Sequence, residues 1–155
     1  MQSIQIGGLS DFENDLEKIL NDSPSARRDL HERIGNIIKE EVDSKIATSG
    51  LKDNNDNIKE WQNVHIGSGG GYAAVRAEKG STGNSSKGAI TNYLENGHKI
   101  VRPSGSNKNY RPNIKKPYVD GYHFYQSAST SVESKVLSEV ERFVDELSKK
   151  LESEA

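Results

Sequence analysis

Ala26, Leu30, Ile34, Ile37, Ile38, Val42 and Ile46 recur at steps of three and four residues. That spacing is satisfied by roughly six turns of α-helix with a continuous apolar stripe, which must be buried against another part of the fold. The helix is expected over 24–47: Ser23 suits the N-cap, Pro24 suits the first helical position where its missing N–H costs nothing, and Thr48-Ser49-Gly50 closes it. Gly35 inside the stripe costs about 1 kcal/mol against alanine and suggests a close helix crossing. A second stripe, Val132, Val136, Leu137, Val140, Phe143, Val144, Leu147 and Leu151, follows Thr130-Ser131-Val132-Glu133, which has the form of a capping box. A helix is therefore expected over about 131–152. A shorter stripe (Leu9, Phe12, Leu16, Ile19, Leu20) behind the box Ser10-Asp11-Phe12-Glu13 gives a helix over about 10–20, ended by Asn21-Asp22-Ser23-Pro24.

Between the helices the period changes. Leu51 to Asn57 reads as a polar connection. Ile58 to Gly67, with Trp61 and Val64 to Ile66, reads as a strand; Gly67-Ser68-Gly69-Gly70-Gly71 is a flexible turn and Tyr72 to Ala77 its antiparallel return. Such a hairpin is marginal alone and needs further strands and a covering helix. Lys79 to Gly88 and Ser104 to Lys116 read as two mobile loops. Between them lies Ala89 to Pro103, the most apolar and aromatic stretch outside the helices. Its first part, Ala89 to Asn96, suits a short helix or a strand, Gly97 terminates it, and His98 to Arg102 is extended. Tyr118 to Tyr125, dense in aromatics around Gly121, reads as a docking segment feeding the last helix. The order implies an α+β fold: one domain over 1–155, with a small antiparallel sheet from the region 58–125 packed against N-terminal and C-terminal α-helices, and two long mobile loops.

Only 32% of the 155 residues are hydrophobic, which is low for a self-sufficient core, so part of the stability is expected from partners. The chain has no cysteine, which excludes disulfides and thiolate metal sites and fits synthesis in a cytoplasm. No run of about eighteen apolar residues and no basic leader is present, so a soluble protein without a targeting signal is expected. The net charge of -2 hides segregation: residues 1–58 carry 7 Lys/Arg against 12 Asp/Glu, residues 59–119 carry 10 against 3, and residues 120–155 carry 4 against 8. An acidic helical frame holding a basic middle suits a polyanion-facing surface, complementary contacts between copies, or simply solvated loop lysines.

Chemistry-bearing patterns are scarce. His31, His65, His98 and His123 have no second ligand at helical metal-site spacing, so no metal is expected. The Gly67–Gly71 run matches neither phosphate-cradling glycine motif and is followed by a strand pattern, which leaves the hairpin turn. There is no G-x-S-x-G elbow, and the densest carboxylates lie on helix faces read as exposed, where their pKa values stay ordinary. No enzyme activity, catalytic residue or cofactor is expected. Tyr93, Tyr110 and Tyr118 interleave with the basic middle, but without an RNA-recognition motif, zinc finger or basic helix this implies non-specific nucleic-acid contact at most.

Three short motifs taken together carry a resemblance. Thr48-Ser49-Gly50-Leu51 approximates a T-G-x-L turn with one inserted serine. Tyr93-Leu94-Glu95-Asn96-Gly97 approximates Y-x-E-x-G-T with His98 in place of threonine. Tyr122 to Ala128 approximates an aromatic P-F motif ending in alanine, without the proline. In this order, between the helices described, the chain resembles the tail-completion or head-to-tail joining (minor tail, neck) proteins of long-tailed bacteriophages and prophage-like elements. The resemblance implies a structural virion protein of the head–tail joint or tail end, made in a bacterial cytoplasm. It further implies a hexameric ring between a head connector or stopper protein and a tail-tube or tail-terminator protein, with a lumen through which DNA passes. On this reading Tyr93, Leu94, Glu95, Gly97, His98, Tyr122, Phe124 and Tyr125 are expected at a subunit or partner interface. Lys99, Arg102, Lys108, Arg111, Lys115 and Lys116 are expected on a basic loop facing the lumen or a partner. The alternative is a nucleic-acid-binding accessory protein that uses the same basic segment, 98–116.

Overall fold

The computed structural model describes residues 20–53, 57–80, 82–101 and 116–154. Its architecture is α+β. Helix α1 (Pro24–Thr48) is followed by a single helical turn α2 (Asn57–Glu60), the hairpin β1 (Gln62–Ile66) and β2 (Ala73–Ala77), and helix α3 (Lys87–Asn96). The short strands β3 (His98–Lys99) and β4 (Tyr118–Val119) come next, and α4 (Phe124–Glu154) ends the chain. Of the N-terminal helix expected over about 10–20, only Leu20 lies within the described residues; it is helical, and so are Asn21 and Asp22, which were expected to end the run. The remainder, with its capping box at Ser10–Glu13, lies outside them.

The α1 stripe packs antiparallel against α4. Val42 and Ile46 meet Phe124 and Ala128 in one buried cluster, and Leu20 and Leu30 meet Phe143 in a second. Polar groups are buried between them. Glu41 accepts from Ser131 Oγ at 2.5 Å and from Lys135 Nζ at 2.6 Å. Arg33 reaches Glu139 at 3.4 Å and Glu146 at 2.8 Å, and its guanidinium carbon lies 5.3 Å from the centre of the Phe143 ring. The expectation that the helix carboxylates are solvated fails at Glu41 and Glu139, which are only 6% and 8% exposed. The hydrogen bonds from Lys135 and Ser131 hold the Glu41 carboxyl down to about 2, and those from Arg142, then Arg33, hold Glu139 below its ordinary value. A stripe pattern shows which face is covered, but not that an acid at its margin is covered too.

The β1–β2 hairpin is antiparallel, with Val64 opposite Val75 and Ile66 opposite Ala73. It lies on α1, where a Cβ at Gly35 would press on Val64 and Ala73. The close approach at this glycine is therefore to a hairpin and not to another helix as the sequence suggests, because the small inner-face residues of β1 and β2 sit on it. The glycine run is the hairpin turn, but a docked one: Gly70 is buried against the Arg28 backbone and Arg27 donates to the Gly69 carbonyl at 2.8 Å. Gly69 and Gly70 have φ of 72° and 70°, which a side chain would strain.

Three boundaries differ from the sequence reading. The strand expected from Ile58 begins at Gln62, because Asp53 accepts the Ile58 amide at 2.7 Å and nucleates a helical turn first. Ala89–Asn96 is a helix, and it starts at Lys87 because Ser86 caps it through the Ala89 amide at 3.2 Å; Lys87 and Gly88 thus leave the expected loop. The last helix begins seven residues before the expected 131. In the proposed box the capping residue, Thr130, bonds back to the Gln126 carbonyl at 3.1 Å from inside the helix, so it caps nothing. At the other helix Ser23 sits at the N-cap with Pro24 behind it, but its side chain makes no capping bond. Among the described residues the sheet is two separate two-stranded ribbons, β1–β2 and β3–β4.

Candidate docking surface

What starts α4 is a carboxylate from another helix. Glu95, near the end of α3, accepts the Tyr125 amide at 2.9 Å and the Gln126 amide at 3.0 Å, one on each oxygen. These amides belong to the first turn of α4, where helical N–H groups have no partner of their own and the helix dipole favours negative charge. The approach is tight. Tyr122 N–H donates to the Leu94 carbonyl at 2.7 Å and His123 N–H to the Glu95 carbonyl at 3.1 Å, with His123 at φ 52°. A Cβ at Gly121 would overlap the Glu95 carbonyl oxygen, and one at Gly97 (φ 75°) would overlap the Val119 carbonyl oxygen. The Tyr118 hydroxyl closes the clasp on the Asn96 carbonyl at 2.7 Å.

Behind the clasp lies a buried polar web. Tyr125 donates its hydroxyl to Gln62 Oε1, and Gln62 Nε2 donates to the Ile58 carbonyl at 3.0 Å and to Thr91 Oγ1 at 3.2 Å. The Trp61 indole N–H also donates to Thr91 Oγ1, at 3.1 Å. Burial, then the charges of Glu95 and Asp43, push the Tyr125 phenol well above its ordinary range, so it stays a donor. Gln62, fully buried, ties β1 to α2, α3 and α4 at once.

The structure divides the expected interface residues. Glu95 and Phe124 are buried, and Leu94, Gly97 and Tyr125 are part-buried; all hold the clasp or the core under it. Tyr93, His98 and Tyr122 reach the surface side, with the Tyr93 and His98 rings 5.4 Å apart. The β3–β4 ribbon projects from the clasp, pairing His98 with Val119 and Lys99 with Tyr118, and the Ile100 amide donates to the Pro117 carbonyl at 2.9 Å. Of the basic set, Lys99 lies in the ribbon and Lys116 two residues before β4, and both are exposed. Arg102, Lys108, Arg111 and Lys115 lie outside the described residues.

The large apolar side chains left in water gather here. Val101 is 77% exposed, Tyr118 46%, Val119 40% and Tyr122 39%, leaving Tyr72 as the other exposed large apolar residue among the described ones. The sequence reading counts Val101 within the apolar stretch Ala89 to Pro103, which must be anchored in the fold, yet its side chain is exposed; it does not single out Val119, because an isolated valine in a polar stretch looks like an ordinary strand residue. Glu95 has both oxygens engaged by backbone amides, so it is unsuited to act as a base. Among the described residues no group of three or more His, Asp or Glu side chains is placed to hold a metal ion, and no helix is long and apolar enough to cross a membrane. Compared with protein-family models, curated proteins and solved structures, the chain gives no significant match.

Proposed function

We propose that this chain is a non-enzymatic structural adaptor of a bacteriophage or prophage-like particle, acting at the head–tail joint or tail end. It works by assembling as a ring, six copies on the family resemblance, between a head connector or stopper protein and a tail-tube or terminator protein. The observation that carries the reading is the exposure of Tyr118 and Val119 on the ribbon, and of Val101 and Tyr122 a few residues beyond its strands, together with Lys99 in the ribbon and Lys116 just before it. Apolar side chains clustered on a projecting element mark a contact surface, and lysines beside them complement the acidic helices of a neighbouring copy. The clasp supports this too, since a two-residue ribbon has little stability of its own and is fixed in direction by Glu95, Gly97 and Gly121.

The test is native mass measurement of the protein alone and with candidate connector and tube proteins from the same genetic element. A ring that forms with a partner and is lost in Tyr118→Asp is the expected result. Heads and tails that still join normally when the gene is deleted would sink the proposal. Tight duplex DNA binding that depends on Lys99 and Lys116 and falls steeply as salt is raised would favour the nucleic-acid accessory instead.

A further inference from the structure

The outer face of the β1–β2 hairpin carries a second cluster, remote in sequence from the ribbon. The register sets Asn63 opposite Arg76 and His65 opposite Ala74, and the Gly67 amide bonded to the Tyr72 carbonyl at 2.9 Å continues it to Gly67 opposite Tyr72. By strand alternation these six share the face away from α1, because Val64 and Ala73 of the other set meet Gly35. Ala74 and Gly67 leave the middle of this face low, with polar and aromatic groups around it.

Three observations point to an occupant. Arg76 is part-buried, yet its side chain makes no hydrogen bond or ion pair with any described residue. A guanidinium that loses water without gaining an acceptor is costly, and an anion from outside relieves that cost. The nearest acid in sequence, Glu78, is already paired with Lys87. Second, the Tyr72 ring lies across Gly67, where a Cβ would collide with it, and the residue is still 50% exposed. One ring face is held while the other is open, with the His65 ring 6.3 Å away. Third, an open groove of ≈ 390 Å³ beside Tyr72 is lined by Asn63, Val64, His65, Arg76, Ala77, Glu78 and Lys79, and the Glu78 carboxylate in it is paired with Lys87.

We propose that this face binds single-stranded nucleic acid, with a base stacked on Tyr72 beside His65 and phosphates on Arg76 and Lys79. Positions 72 and 76 of one strand lie about 13 Å apart, too far for a lone phosphate to bridge and suited to a short run of nucleotides. An acidic peptide would satisfy the two cations and leave the aromatic face unused. The site is independent of the ribbon and goes beyond the adaptor reading.

The test is fluorescence anisotropy of the full chain with a labelled oligothymidylate of about twelve nucleotides. Arg76→Ala should weaken binding about tenfold and lower the salt slope by about 0.7, the value of one phosphate contact on a single strand. Tyr72→Ser should weaken it about 5- to 100-fold while Tyr72→Phe retains it, since stacking needs the ring and not the hydroxyl. Thermal melts verify that each variant is folded, and Lys99→Ala with Lys116→Ala should leave affinity unchanged. The proposal is overturned by absent binding, by Tyr72→Ser without effect, by dependence on Lys99 and Lys116 instead of Arg76, or by equal displacement with inorganic phosphate or an oligoglutamate of matched charge.

Discussion

The β1–β2 hairpin has five register pairs and lays Val64 and Ala73 onto Gly35 of α1, whereas the β3–β4 ribbon has two pairs and all four of its residues are exposed. One takes its stability from a helix face, the other from a backbone clasp at its foot. The hairpin shares the fate of the α1–α4 frame. The ribbon depends on Glu95, Gly97 and Gly121, which fit α3 to the start of α4. A packed hairpin must fill its inner face with small and branched side chains, while a clasped ribbon, apart from the Tyr118 hydroxyl that closes the clasp, leaves its side chains exposed to meet a partner.

The severest way to break this contrast is Gly121→Val. The added carbon meets the Glu95 carbonyl, the Asn96 carbonyl carbon and the Gly97 amide, all backbone atoms that cannot swing aside. A loss above about 4 kcal/mol is expected in urea denaturation, against about 1 kcal/mol for Gly50→Ala, which is strained by φ alone. A small effect at Gly121 would mean that the clasp is not closed as described. Next comes Glu95→Ala, expected to cost about 2–3 kcal/mol through two orphaned amides. Hydrogen exchange should then show protection falling at residues 124–130 while 62–66 of the hairpin keep theirs. Uniform change across both regions would erase the distinction.

Acid should attack the opposite side of the contrast. The Glu41 carboxyl, held down to about 2 by Lys135 and Ser131, contributes stability that is complete above the ordinary carboxylate pKa near ~4.3. That contribution is lost as pH falls from there through about 2. Denaturation midpoints followed over this window should decline, and Glu41→Gln should lower stability at neutral pH while flattening the decline. An unchanged slope in that variant would remove Glu41 from the account. The smallest stability effect belongs to Val119→Ser: less than about 0.5 kcal/mol, because the side chain touches water on the ribbon. Its mark should appear in partner assembly, and a large loss of stability instead would place Val119 inside the fold.

The frame was legible because the stripes of α1 and α4 are long and periodic, and the glycine run between two strand patterns has few other uses. The start of α4 was not. Thr130–Glu133 satisfies the local pattern of a cap, yet the acceptor that sets the boundary is Glu95, about thirty residues upstream, and no local window contains both. Gln62 and Thr91 were missed for the same reason, since their pairing appears only once α3 is laid across the hairpin's open end. The motif segments Tyr93–Gly97 and Tyr122–Ala128 were singled out separately, and the fold joins them. It then uses much of what looked like contact chemistry for internal closure.

The clasp also has a consequence for how such a chain can change over generations. Gly97 and Gly121 fasten both ends of the intervening stretch to backbone, so whatever is spliced between these two posts leaves the frame where it stands. Doubling the length of a connection raises the chain-closure cost by only about 0.6 kcal/mol. Insertion, deletion and recomposition between β3 and β4 are thus cheap, and a descendant can acquire a new binding specificity there without redesigning a single helix.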